Sequence, residues 1–128
     1  MPFEITINTT FAAAHAIRLP DGSLEPLHGH NWQTQLTVGC DELDGIETVM
    51  DFHDLQAMLD DIVAPVRNRN LNDCPPFADG QGGLAINPTA ERVAQWIGES
   101  VSAKLPDRVA LHAVRIEEAA GCFATWRP

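Results

Sequence analysis

His28-Gly29-His30, with His15 a short way upstream, is the part of this chain whose residue types and spacing suit chemistry. Residues two apart in a strand face the same way, so His28 and His30 present two imidazoles side by side. Phe3 to Phe11 reads as one strand and Trp32 to Val38 as another. Paired as a hairpin, they bring His15 back next to the His-Gly-His pair. Three neutral imidazoles converging on one point make a metal site, and zinc suits them best. Three protein ligands leave a fourth position open, the arrangement of a catalytic zinc. Gly29 lacks a side chain, so the backbone there can approach a ligand closely. A His-x-His pair also arises by chance in ordinary strands. Here, however, three of the chain's five histidines fall between positions 15 and 30.

The elements that must carry these residues follow from periodicity. Phe3 to Phe11 alternates apolar and polar and is rich in β-branched residues, as a half-buried strand is. Ala16 to Leu27 is a loop, with Pro20-Asp21-Gly22 as its turn. Asn31 to Gly39 is the second strand, and Ile46 to Met50 a possible short extension of it. Asp51 has the position of a helix N-cap, and Phe52, Leu55, Met58, Leu59, Ile62 and Val63 follow as one apolar stripe. Pro65 ends that helix, and Arg67 to Gly83 is mostly loop. Asn87-Pro88 reads as an N-cap with proline at the first helical position. Ala90, Val93, Ala94, Trp96, Ile97 and Val101 trace a second amphipathic helix. Val109 to Glu118 returns to strand character, with Val114, Ile116 and Glu118 on one face. Cys122 to Trp126 is a last short strand. The order β-β-α-α-β-β predicts an α+β protein: a four-stranded antiparallel sheet with two helices on one face.

Composition narrows the function classes. The 128 residues are 45% hydrophobic, which predicts one domain, 1–128, with a substantial core. A net charge of -10 argues against nucleic acid or an anionic membrane as partner. A small anionic substrate remains compatible, because Arg18, Arg67 and Arg69 can supply local positive charge. Cys40, Cys74 and Cys122 are too few and too scattered for a disulfide framework. No stretch approaches the roughly 20 apolar residues of a membrane span, and the N-terminus has no signal-peptide pattern. A cytoplasmic location is expected.

Several segments together resemble the 6-pyruvoyltetrahydropterin synthase and 6-carboxytetrahydropterin synthase family. They are Phe11-Ala-Ala-Ala-His15, Leu27-His-Gly-His30, Val49-Met-Asp-Phe52, Leu71-Asn-Asp73, Asn87-Pro-Thr-Ala-Glu91 and Val114-Arg-Ile-Glu-Glu118. The resemblance implies a tunnelling fold assembled as trimers stacked into a homohexamer, with active sites between subunits. It implies Zn2+ on His15, His28 and His30, and a pterin-anchoring glutamate at Glu118, with Glu117 the near alternative. The implied substrate is 7,8-dihydroneopterin triphosphate. Thr89, at a helix N-terminus, is a further candidate for the pterin, or else a helix cap.

This chain departs from the family pattern at its proton-transfer residues. The position of the usual catalytic cysteine is Leu24, and the usual Asp-His pair is matched by Arg67 and Asn68. Cys40 and Cys74 do not align with the missing cysteine. Glu25 instead creates Glu-x-x-His-Gly-His, which resembles a variant branch in which glutamate stands in for cysteine. That branch cleaves the substrate side chain to 6-hydroxymethyl-7,8-dihydropterin, a folate precursor.

The expected chemistry is therefore a retro-aldol-type cleavage with Glu25 as base. A free glutamate is a weak base at neutral pH; burial would strengthen it, and a nearby zinc charge would weaken it. Glu118 as a carboxylate can accept two parallel N–H bonds from a pterin ring. Two other readings stay open. One is a 6-carboxy-5,6,7,8-tetrahydropterin synthase in deazapurine (queuosine) synthesis. The other is a pterin-binding homologue without turnover. His53 is expected to be exposed, and His112 has no assigned role.

Overall fold

The computed structural model describes residues Met1–Pro128. Two long strands dominate it, β1 (Phe3–His15) and β2 (His28–Cys40). They pair antiparallel from Phe3 opposite Cys40 to His15 opposite His28. Both strands run further than the alternating patterns predict. β1 continues through Ala12-Ala13-Ala14 to His15, and β2 begins at His28 itself. Alanine has no strand pattern of its own; pairing with β2 decides its conformation.

The chain then forms α1 (Phe52–Val63) and a one-turn 3-10 helix at Ala64–Val66. Asp51 caps α1 by accepting from the backbone N–H of His53. Ile46 to Met50 adds no strand. A two-residue strand, β3 (Arg69–Asn70), precedes α2 (Ala90–Ser102), β4 (Ala110–Ala119) and β5 (Cys122–Trp126).

The sheet has five strands, not four, in the order β3-β1-β2-β4-β5. The extra member, β3, runs parallel to β1 beside Ala13 and Ala14, so the sheet is not wholly antiparallel. Two residues are too few to leave a periodic signal. The start of α2 also differs from expectation. Thr89, not Asn87, is its N-cap, accepting from the Arg92 N–H at 3.2 Å.

Both helices pack on one face of the sheet, α1 against β1 and α2 against β4 and β5. Ile7, Phe11, Trp32, Leu36, Val114 and Ile116 point into the core from the strands. Leu55, Leu59 and Val63 from α1 and Val93, Ile97 and Val101 from α2 meet them. The other face carries exposed polar side chains such as Thr6, Asn8, Thr10, Gln33 and Gln35. No helix is long and apolar enough to cross a membrane.

Helix α2 lies so close to the sheet end that Gly98 has no room for a side chain. A Cβ there would stand 2.5 Å from the Trp126 ring and 3.1 Å from Leu111. Gly98→Ala should therefore destabilise the fold. Overpacking of about 1–3 kcal/mol exceeds the roughly 1 kcal/mol gained from better helix propensity. A lower urea midpoint with an unchanged m-value is the expected result.

Candidate metal centre and active site

The β1–β2 register builds the site. His15 lies directly opposite His28, and His30 opposite Ala13. His28 and His30 share a face with His15, the face that continues into the core at Trp32. The three ring centroids are 4.6, 5.1 and 4.8 Å apart. The buried Trp32 ring lies beside them, 4.9 Å from His15 and 5.6 Å from His30. Its indole N–H donates to the Ala13 carbonyl at 3.0 Å, which fixes the ring.

Hydrogen bonds set the tautomers of two rings. His15 Nδ1 stands 2.7 Å from the Pro88 carbonyl, and His28 Nδ1 stands 2.9 Å from the Pro26 carbonyl. A carbonyl only accepts, so each Nδ1 carries the proton and each Nε2 is a bare lone pair. Those two lone pairs face each other at 3.1 Å. The Glu118 Oε1 adds a third acceptor, 3.0 Å from His15 Nε2 and 3.4 Å from His30 Nε2. His30 Nε2 is itself buried and has no hydrogen-bond partner. Burial pushes the His30 imidazole below its ordinary pKa. His15 and His28 act in the same direction, and Glu118 opposes them.

The bare nitrogens of His15 and His28 and the Glu118 carboxylate converge on one point, an arrangement that suits a cation. The four donor atoms lie within 4.8 Å of one another. Tetrahedral Zn–N bonds of about 2.0–2.1 Å space their donors about 3.3 Å apart, close to the shorter separations here. The neutral imidazoles, their carbonyl partners and the orphaned nitrogen fit a divalent ion on His15, His28 and His30, with the Glu118 carboxylate beside it.

Glu118 reaches the cluster from β4. The β4–β5 pairing shifts register between Glu117 and Ala119, and Glu118 occupies that bulge. Bulges re-aim side chains beside active sites. Glu117 points elsewhere, accepting from the Gly121 N–H at 3.0 Å.

Glu25 comes from the loop between β1 and β2. Its Oε1 accepts from the Ile17 N–H at 3.1 Å and lies 3.8 Å from His28 Nε2. It lines a cavity of about 480 Å³ together with Arg18, Leu24 and Asn72. Leu24, next to Glu25 in the chain, is 54% exposed.

Most other sequence candidates make no contact with the imidazoles. Arg67 donates to the Thr10 carbonyl at 3.1 Å, and Arg69 is exposed on β3. Asn68 lines a shallow cleft with Ala12, Gly29 and His30. The Thr89 hydroxyl caps α2. His53 is 98% exposed, and His112 faces Glu4 at 3.4 Å. At Gly29 a Cβ would meet only the Ala13 carbonyl, at 3.8 Å, an ordinary contact. Sequence reasoning missed the Pro26 and Pro88 carbonyls and the Trp32 ring. Backbone acceptors leave no residue-type signal, but both prolines sit in quoted motifs.

Residues 4–128 match the model of the 6-pyruvoyl tetrahydropterin synthase family. This chain belongs to that family. It is 32% identical over 118 residues to a dihydroneopterin monophosphate aldolase of Pyrococcus furiosus, covering 92% of this chain and 91% of the aldolase. It is 37% identical over 92 residues to a 6-carboxy-5,6,7,8-tetrahydropterin synthase of Synechocystis, covering 69% of this chain and 66% of that protein. In three dimensions it resembles the 6-pyruvoyl tetrahydropterin synthase of Caenorhabditis elegans. The TM-score is 0.81 at 22% identity, over 98% of this chain and 95% of the other. The fold is thus the tunnelling fold of this family.

The cluster generates a direct prediction. The purified protein should hold about one zinc per chain, and His28→Ala should hold almost none by elemental analysis. His28 is 41% exposed at the sheet end, so its loss should cost the fold less than about 1 kcal/mol. Stoichiometric zinc in a folded His28→Ala protein would reject the ligand set.

Proposed function

We propose that this family member is a zinc-dependent lyase that cleaves the side chain of a 7,8-dihydroneopterin phosphate to 6-hydroxymethyl-7,8-dihydropterin. The observation that carries the reading is Glu25 beside three converging imidazoles, with its Oε1 3.8 Å from His28 Nε2. The 32% identity to an aldolase of dihydroneopterin monophosphate supports the same chemistry. The triphosphate, or that monophosphate, is the substrate proposed here. Arg18 shares the Glu25 cavity and suits a phosphate tail.

Zinc held by His15, His28 and His30 would supply Lewis acidity, lowering the pKa of the side-chain hydroxyls. Glu25 is proposed to take the proton from the hydroxyl on the second side-chain carbon. That oxygen becomes an aldehyde as the bond between the first and second carbons breaks. The electron pair passes into the pterin ring. Protonation of the first carbon by Glu25 then leaves a hydroxymethyl group and returns the base. The two-carbon aldehyde departs with the phosphate, so no other reactant is required. Glu118 is proposed to orient the pterin through its N–H groups, which leaves the fourth position of the zinc to the substrate, and Thr89 to assist from the start of α2.

A second reading, 6-carboxytetrahydropterin synthase, draws support from the 37% identity over 92 residues to a protein of that name. A third, pterin binding without turnover, draws support from Arg67, which is committed to the Thr10 carbonyl at a position where the family carries a proton-transfer residue. One incubation separates them, using zinc-loaded protein with dihydroneopterin monophosphate or triphosphate under reducing conditions. Hydroxymethyldihydropterin is expected. A carboxylated pterin would favour the second reading, and binding without product the third. Glu25→Gln should lower kcat by about 10²-fold or more. Unchanged turnover in that variant would remove Glu25 from the mechanism.

A cytoplasmic homohexamer, a dimer of trimers, is proposed for the assembly. β3 covers β1 only at Ala13 and Ala14, which leaves most of that long edge open. Open edges on β1 and β5 suit edge-to-edge pairing of copies. A hexamer is expected by light scattering, and a monomer at micromolar concentration would reject the assembly.

A further inference from the structure

The chain leaves β1 at His15 and passes through Ala16, Ile17 and Arg18, with an isolated antiparallel bridge from Arg18 to Leu24 on one side and no strand on the other. Side-chain amides take the partner's place. Asn72 accepts from the Ala16 N–H at 2.9 Å and donates to the Ala16 carbonyl at 2.8 Å. Asn87 does the same for Arg18, accepting at 2.8 Å and donating at 3.0 Å. Each asparagine thus returns both hydrogen bonds to one residue, as a neighbouring strand would. Ile17 is bonded instead to Glu25. Its N–H donates to the Glu25 carboxylate at 3.1 Å, and its carbonyl accepts from the Glu25 N–H at 2.9 Å.

We propose that Asn72 and Asn87 are positioning residues that hold Ala16–Arg18 as a strap whose Ile17 N–H orients the Glu25 carboxylate beside the imidazole cluster. Neither asparagine contacts Glu25; they act through the backbone between them.

Both anchors are themselves fixed. The Asn72 N–H donates to the Asn70 side chain at 3.0 Å, within a 3-10 turn whose Leu71 is fully buried. Asn87 is followed by Pro88, whose carbonyl receives the His15 ring N–H, and by Thr89, which caps α2. One short segment therefore ties the helix start to both the tautomer of His15 and the strap that follows it. Without the two amides the backbone of the strap would keep only its pairing with Ser23, Leu24 and Glu25, and it could shift together with them. A base displaced by about 1 Å can lose up to about 10²-fold in rate.

The proposal rests on Glu25 acting as base in the lyase reading, and its test keeps the two apart. The first readout needs no activity: amide hydrogen exchange of Ala16, Ile17 and Arg18 in the zinc-loaded protein. Asn72→Ala and Asn87→Ala should each speed exchange at Ile17, which neither asparagine touches, by about tenfold or more. The second readout is kinetic. kcat should fall by about tenfold to 10²-fold with KM and bound zinc unchanged. If an alanine variant fails to fold, Asn72→Asp and Asn87→Asp serve instead. Each keeps the acceptor for the N–H and removes the donor to the carbonyl, so an intermediate loss is expected. Unaltered Ile17 exchange in all folded variants would overturn the strap. Faster Ile17 exchange with full turnover in Glu25→Gln would uphold the strap and reject Glu25 as base.

Discussion

The antiparallel register of β1 against β2 is the constraint on which the site depends. It sets His15 opposite His28 and puts His30 one step inward on the same face. Side chains alternate with period two, so a slip of one residue would send His15 to one face and the His-Gly-His pair to the other. The register is fixed far from the histidines. Ile7, Phe11, Trp32 and Leu36 all face the core, and a slip of β2 would expose Trp32 and Leu36 while burying Gln33 and Gln35. Hydrophobic burial along the whole hairpin therefore holds three polar rings at its end. No local bond among the rings is needed for that.

The rings are held in an arrangement that is electrostatically incomplete. Proton donation to the Pro26 and Pro88 carbonyls commits the outer nitrogens and turns the lone pairs of His15 and His28 toward each other. Water could satisfy an exposed cluster of this kind, but His15 is almost fully buried and His30 Nε2 is sealed. Unsatisfied buried acceptors cost of order 1–3 kcal/mol each. The orphaned His30 Nε2 carries such a cost, and a divalent ion bound there would offset it.

Much of this was legible in the sequence, and what was not has identifiable causes. Both helices show as apolar stripes, and the Asp51 cap is used as read. The histidine triad follows from strand alternation and the hairpin alone. The start of α2 does not, because Asn87 has a competing use: its amide is taken by the Arg18 backbone, and the cap passes to Thr89. β3 exists only because residues after α1 run along the open edge of β1, a tertiary fact. The asparagine strap joins positions 56 and 69 residues apart in sequence, which no local pattern encodes. The bulge that aims Glu118 rather than Glu117 is likewise a property of the β4–β5 pairing.

The two kinds of attachment have different consequences for change. The imidazoles stand on strand ends, where any insertion or slip would disturb a register shared with the core. Glu25 stands on a connection that leaves the sheet after His15 and rejoins it at His28, held by its bonds to Ile17 and by the neighbouring Arg18–Leu24 bridge. Its neighbour Leu24 is exposed and lines the same cavity. A proton-transfer residue can therefore move one place along this loop without altering the sheet, whereas a metal ligand cannot. The placement of the three imidazoles is set by the register of the whole hairpin, and that of the Glu25 carboxylate by a local pair of hydrogen bonds to Ile17.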